Sequence, residues 1–366
     1  MRFTIFGLTI SSSWGNGHAT LWRGLIRALA ADGHQVTFVE RDVPYYAEHR
    51  DLAELPAPSR LLLYRDWAEI LADKRTLLDA DALIVISYCP DAVAATRLIE
   101  AEGRGARVFY DLDTPVTLAH LDAGHPVAYL PPDGLGSFDL VLSYTGGPAL
   151  AALEARLGAR ATAPLYGHVD PRAHRPGTPV DWCRGDLSYL GTYADDRQPI
   201  LRELFVEPAR AAPASRFVLG GANYPADFPW QPNIYFMNHV APPDHPAFFA
   251  SSRLTLNVTR RDMAAMGWCP SGRLFEAAAC GVPIVSDTWD GIDDFFTPDE
   301  EILLAETCDD VLFALTRPDV ELRRIAGRAR DRVLAEHSSA IRARELVTLI
   351  EAAARSDVAP AAAVAA

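Results

Sequence analysis

Short runs of β-branched and aromatic residues alternate along the chain with longer stretches in which apolar residues return every three to four positions. That alternation is the pattern of βαβ units on a parallel sheet. In the first half it predicts strands over 3–9, 36–40, 83–87, 108–111 and 140–143. Between the first two lies ATLWRGLIRALAADG, with Leu21, Leu25, Ile26 and Leu29 on one helical face and Gly33 placed to cap its end. The run LYGHVDPRAHRPGTPVDWCRG, residues 165–185, is rich in Pro, Gly and His and has no apolar period, so it reads as a linker. A second set of strands follows at 187–190, 216–219, 234–237, 254–258, 283–286 and 302–304, and helical sequence continues from 320 to about 351.

The expected organisation is two doubly wound, Rossmann-like α/β domains over 1–165 and 186–335, joined by a linker at 166–185. A helix over 336–356 is expected to return to the first domain, and the alanine-rich tail 357–366 is expected to be flexible. Two such domains place a cleft between the carboxyl ends of their sheets, where open α/β sheets bind ligands.

Composition narrows the function. A 366-residue chain with 49% hydrophobic residues has enough apolar material for two cores. Its net charge of −14, with no basic run, opposes a nucleic-acid partner. No apolar segment approaches the roughly 20 residues of a membrane span. The five cysteines, Cys89, Cys183, Cys269, Cys280 and Cys308, form no CxxC pair, which fits reduced thiols in the cytoplasm.

The chemistry concentrates in SGRLFEAAACGVPIVSD, residues 271–287. Ser271 and Gly272 open a helix whose N-terminal amides and dipole favour an anion, and Arg273 adds a full positive charge beside them. A diphosphate suits that arrangement. Glu276, one turn on, offers a carboxylate to the two vicinal hydroxyls of a ribose. The Cys280-Gly281-Val282-Pro283 stop ends the helix. The bland alternative is a capped helix with a solvent-facing Glu276 and a Gly-Pro turn.

RLFEAAACGVPIVSD resembles the nucleotide-binding signature of GT-B glycosyltransferases, in the glycosyltransferase family 1 or CgeB-like branch. The resemblance implies two Rossmann-like domains facing each other across a cleft, a UDP-, GDP- or dTDP-sugar donor held through Glu276, no further cofactor, and a loop at 289–294 near the sugar or diphosphate. Larger relatives usually carry a second Glu eight positions before the first to contact the sugar. Trp268 stands there in this chain, which leaves retention or inversion open. The resemblance also implies diphosphate roles for Gly191 and Arg197 in GTYADDR. Gly220 to Tyr224 suit the rim over a nucleobase, and Asn257, Arg260 and Arg261 stand at a strand end as further donor-site candidates.

In the first half, SSSWGNGH joins the first strand to the first helix. Gly17 permits close backbone approach, and His18 is suited by its ordinary pKa to remove a proton from an acceptor hydroxyl, or is simply a loop histidine. Asp111 and Asp113, in YDLDTP, end a strand where carboxylates can orient acceptor hydroxyls or His18; an Mg²⁺-binding DxD pair is the weaker alternative. The Tyr144–Pro148 turn adds a further cleft lining, and His168 and Asp170 belong to the hinge.

The sequence therefore points to a metal-independent hexosyltransferase that moves a sugar from a nucleotide diphosphate to an acceptor hydroxyl. The alternatives are a GT-B epimerase or hydrolase acting on the same donor, and a noncatalytic nucleotide-sugar-binding protein. Sugar, base, acceptor and oligomeric state stay open.

Overall fold

The computed structural model describes residues 1–356, so the tail expected to be flexible over 357–366 lies outside the described residues. The chain forms two compact units. The first holds residues 1–12, 25–166 and 340–356; the second holds 13–24 and 167–339.

The first unit is built on a seven-stranded parallel sheet, β1 (Arg2–Gly7), β2 (Gln35–Arg41), β3 (Arg60–Tyr64), β4 (Ala82–Ile86), β5 (Ala106–Asp111), β6 (Leu140–Ser143) and β7 (Thr162–Pro164), in the order β3-β2-β1-β4-β5-β6-β7. Strands β4 and β6 are buried along their whole length, as a parallel sheet covered by crossover helices requires. The apolar runs at 83–87 and 140–143 carry that burial directly. The edge strands β3 and β7 escape a reading by hydrophobic pattern for the complementary reason. RLLLY is an unbranched leucine run that is mostly half-exposed, and TAP is three residues long and ends in proline, so neither edge shows the β-branched, buried run of an interior strand.

The second unit carries a six-stranded parallel sheet, β8 (Gly185–Leu190), β9 (Phe217–Gly221), β10 (Ile234–Asn238), β11 (Ser252–Asn257), β12 (Ile284–Ser286) and β13 (Leu303–Leu304), in the order β10-β9-β8-β11-β12-β13. Its core includes Leu187, Phe205, Phe217, Leu219, Leu254, Leu256, Val285 and Ile325. The strand order reverses between β8 and β11, and the carboxyl ends at such a reversal are where doubly wound sheets leave a crevice.

Helix ends follow the chemistry of their caps. The His18–Ala31 helix stops at Gly33, whose φ of +81° lets the His34 amide donate to the Leu29 carbonyl at 2.9 Å. The Gly272–Cys280 helix is opened by Ser271, whose hydroxyl accepts from the Arg273 amide at 3.3 Å, and closed by Gly281 at φ +78°. The run after β7 is more than a connector. His168, Val169, Asp170, His174 and Cys183 are all buried, and Val169 donates to the His337 carbonyl at 2.9 Å. No described helix is long and apolar enough to cross a membrane.

Candidate active site

At the carboxyl ends of β8, β9 and β10 the second unit encloses a pocket lined by Gly191, Thr192, Gly221, Ala222, His239, Val240, His245 and Arg273. Ser13, Gly15, Asn16, Gly17 and Thr20 of the 13–24 segment complete the lining. Close backbone approach shapes this floor. A Cβ on Gly221 would lie 2.0 Å from the Gly191 carbonyl oxygen, and that oxygen already accepts from the Tyr224 hydroxyl at 3.1 Å. At Gly17, by contrast, the space around a Cβ position is open. His239 holds a left-handed φ of 63°, and its ring packs 4.7 Å from Trp14.

Beneath the lining lies a polar cluster. Glu276 is buried, and both its oxygens are engaged: Oε1 accepts from the Thr20 hydroxyl at 3.0 Å, and Oε2 accepts from Arg273 Nη1. His174 Nε2 lies 3.6 Å from Oε1, and His245 Nδ1 lies 4.0 Å from Oε2. Burial, the largest influence, works against the ionised carboxyl of Glu276, but the Arg273 guanidinium, His174, His245 and the Thr20 hydroxyl together outweigh it and hold the group below the usual carboxylate range. Burial pushes the two imidazoles down, helped by the Arg273 charge, so both are neutral at neutral pH.

His174, His245 and Glu276 bring their ligand atoms within 4.8 Å of one another, the spacing of a metal site. The fit fails on charge. Arg273 Nη1 stands 3.4 Å from His245 Nδ1 and also bonds Glu276, so a cation among these atoms would meet a full positive charge. The cluster is a hydrogen-bond network compensated by arginine.

Among the residues singled out by sequence, Gly17, Gly191 and Arg273 line this pocket, and Glu276 backs it through Arg273 and Thr20. Ser271 and Gly272 form the cap and first residue of the helix that carries them. His18 begins its own helix half-buried, its amide bonded to Asn16 Oδ1 at 3.1 Å, and its side chain is not part of the lining. Three others make contacts with neighbouring protein groups. Arg197 donates to the Thr192 carbonyl at 3.3 Å, Arg260 pairs with Asp196 at 2.9 Å, and Asn257 donates to Ser286 Oγ at 3.1 Å. Trp268, at φ 45°, donates its indole N–H to Asp294 at 2.7 Å and its amide to the Asp290 carbonyl at 2.7 Å, which ties it to the 289–294 loop.

Thr20, His174 and His245 were not legible as site residues. Thr20 is 256 positions from Glu276, and His174 is 71 from His245. A histidine beside a proline in RAHRPG or PDHPAFF carries no periodic signal; only its unusual burial marks it, and burial is a property of the fold.

Asp111 and Asp113 belong to a different cluster, in the first unit. Asp111 ends β5 at 0% exposure; its Oδ1 accepts from the Asp113 amide at 3.1 Å and its Oδ2 is unpartnered. Tyr88, held at φ 67°, donates its hydroxyl to Asp113 Oδ2 at 2.7 Å, and the Tyr129 ring packs 5.0 Å from it. Burial raises the Asp111 carboxyl to about 6.

Residues 197–348 match a family model described as Glycosyl transferase-like. No curated protein matches the chain. Among solved structures, sucrose-phosphate synthase from Thermosynechococcus elongatus superposes with a TM-score of 0.70 at 14% identity, over 97% of this chain and 99% of that one. Anabaena HepE, in complex with UDP and glucose, gives 0.67 at 13% identity over 96% and 100%. An α-glucosyltransferase in complex with UDP and a 13-mer DNA gives 0.66 at 13% over 96% and 99%. The fold is GT-B. Two Rossmann-like parallel-sheet domains, expected from the alternation of apolar runs, are what the GT-B likeness and the sheet orders both contain.

The buried Asp111 carboxyl gives a signed pH dependence. With its folded pKa raised from 3.8 to about 6, its contribution to stability is complete below the unfolded value and is lost as pH rises through 6. Asp111→Asn is therefore expected to stabilise the fold by about 2 kcal/mol at pH 8 and by less than about 1 kcal/mol at pH 4. Chemical denaturation at both pH values checks this. An equal effect at both would contradict it.

Proposed function

We propose that this protein is a glycosyltransferase that moves a sugar from a nucleotide diphosphate donor to an acceptor hydroxyl without a metal ion. The observation that carries the reading is Glu276. It is a buried carboxylate kept ionised by Arg273 at the start of a capped helix, inside the segment matching the Glycosyl transferase-like model. A buried, ionised carboxylate is a strong acceptor for a vicinal diol, and a helix N-terminus with an adjacent arginine is a strong site for a diphosphate. In this reading Glu276 takes the ribose, and Arg273 takes the diphosphate together with the amides at Ser271 and Gly272. Gly17 and Gly191 let backbone approach the donor. Arg197, Asn257 and Arg260 support the surrounding loops. The helix dipole and Arg273 then stabilise the charge that develops on the leaving diphosphate.

The solved neighbours that carry UDP in their complexes make a uridine diphosphate sugar the first donor to test. The net charge of −14 weighs against DNA as the acceptor despite the DNA complex of one neighbour. RLFEAAACGVPIVSD supports placement in the CgeB-like branch and a hexosyl donor. Five cysteines without a disulfide support a cytoplasmic location. His18 acts as the base if the reaction inverts and positions sugar or acceptor if it retains. Asp113, hydrogen-bonded to Tyr88, orients the acceptor, with Asp111 behind it.

Three outcomes test this reading. Glu276→Gln keeps the shape of the side chain but loses its charge and one of its two acceptor oxygens, and should weaken UDP binding about tenfold to a hundredfold by calorimetry; equal affinity would remove Glu276 from the site. Transfer should persist in EDTA, whereas loss restored by Mg²⁺ or Mn²⁺ would overturn the metal-free mechanism. His18→Ala should lower turnover by about two to four orders of magnitude with nucleotide affinity nearly intact. A change of a few fold would make it a loop histidine.

A further inference from the structure

The two imidazoles under the pocket do nothing in the reading above, yet their geometry is well determined. His245 Nε2 lies 3.2 Å from the Val240 carbonyl oxygen, and only an N–H satisfies that acceptor, so Nδ1 carries the lone pair. His174 Nε2 stands 3.1 Å from that Nδ1 and donates to it. Arg273 Nη1, at 3.4 Å, points to the same atom. The two rings thus form one hydrogen-bonded pair, almost wholly buried, lying against Glu276.

The charged groups facing the pair are Arg273 and Glu276, both on the Gly272–Cys280 helix. The His18–Ala31 helix contributes the Thr20 hydroxyl on Glu276, and the loop after β10 contributes the Val240 carbonyl. The balance is even: one carboxylate, one guanidinium, two neutral rings.

A diphosphate upsets that balance. The pocket opens to solvent, and Arg273 is part of its lining. A diphosphate bound there competes with Glu276 for the Arg273 guanidinium and draws it away from the carboxylate. Glu276, still buried, then loses its counter-charge while the imidazoles remain 3.6 and 4.0 Å away. We infer that donor binding is coupled to the uptake of one proton by the His174–His245 pair, which replaces Arg273 as the counter-charge of Glu276. The proton comes from solvent and enters at His174 Nδ1, leaving the Nε2–H bond to His245 in place. This inference rests on the assignment of Arg273 and Glu276 to the donor.

The test is calorimetric titration with UDP, GDP and dTDP at pH 7.5, in phosphate and in Tris, whose ionisation enthalpies differ. The wild-type protein should take up between about half and one proton per nucleotide bound, and its affinity should weaken as pH rises, by up to about tenfold per pH unit. His174→Gln, whose amide still donates to His245 Nδ1 but does not titrate, should bind more weakly and show no buffer dependence. Tight wild-type binding with identical heats in both buffers overturns proton uptake and leaves the donor site standing. Failure of all three nucleotides to bind overturns the donor site and the uptake with it.

Discussion

An ionised carboxylate in a protein interior is stable only if something nearby balances its charge, and Glu276 is such a group. It is buried on a helix whose first turn supplies Arg273, three residues before it and bonded to it. Breaking a buried pair of this kind by deleting one partner costs on the order of 3–5 kcal/mol, because the survivor is left uncompensated. The neighbouring parts are arranged around that pair. Thr20 covers the second oxygen, the two histidines are kept neutral beside it, and Arg273 reaches from it into the pocket lining. A site that binds a phosphate ester can use the same arginine only by releasing it from the carboxylate, so donor binding and the internal charge balance are one equilibrium.

The glycines make the other half of the site possible. Gly191 and Gly221 end adjacent strands, and their backbones approach so closely that a methyl group on Gly221 would strike the Gly191 carbonyl. A floor of bare backbone leaves amides and carbonyls as the recognising groups, while the side chains that carry charge sit to one side on the Gly272–Cys280 helix. The strand order places that floor at the reversal beside β8, so topology and local chemistry select the same place.

Much of this was legible in the sequence, where a short stretch of chain determines the outcome. Buried central strands read as apolar runs, and the Gly272–Cys280 helix showed both its ends through Ser271 and Gly281. What depended on distant partners was not legible. The edge strand β7 lacks the apolar run of the interior ones, and the leucines of β3 are neither β-branched nor mostly buried. Arg260, which reads as a phosphate ligand, pairs with Asp196, 64 positions away, a contact that no local pattern shows. Residues 13–24 continue the first strand in sequence yet belong to the second unit, and helical periodicity contains no trace of that exchange. His174 lies in a run without any period, and its burial follows from contacts with residues 71 and 102 positions further along.

The central claim is that Arg273 and Glu276 exchange their bond to each other for bonds to a nucleotide. A crystal structure of the protein soaked with UDP tests it most directly. The account predicts the diphosphate against Arg273 and the amides at Ser271 and Gly272, the ribose hydroxyls on Glu276, and the Arg273–Glu276 contact broken. A nucleotide bound elsewhere, or bound while Glu276 still holds both Thr20 and Arg273, would contradict it.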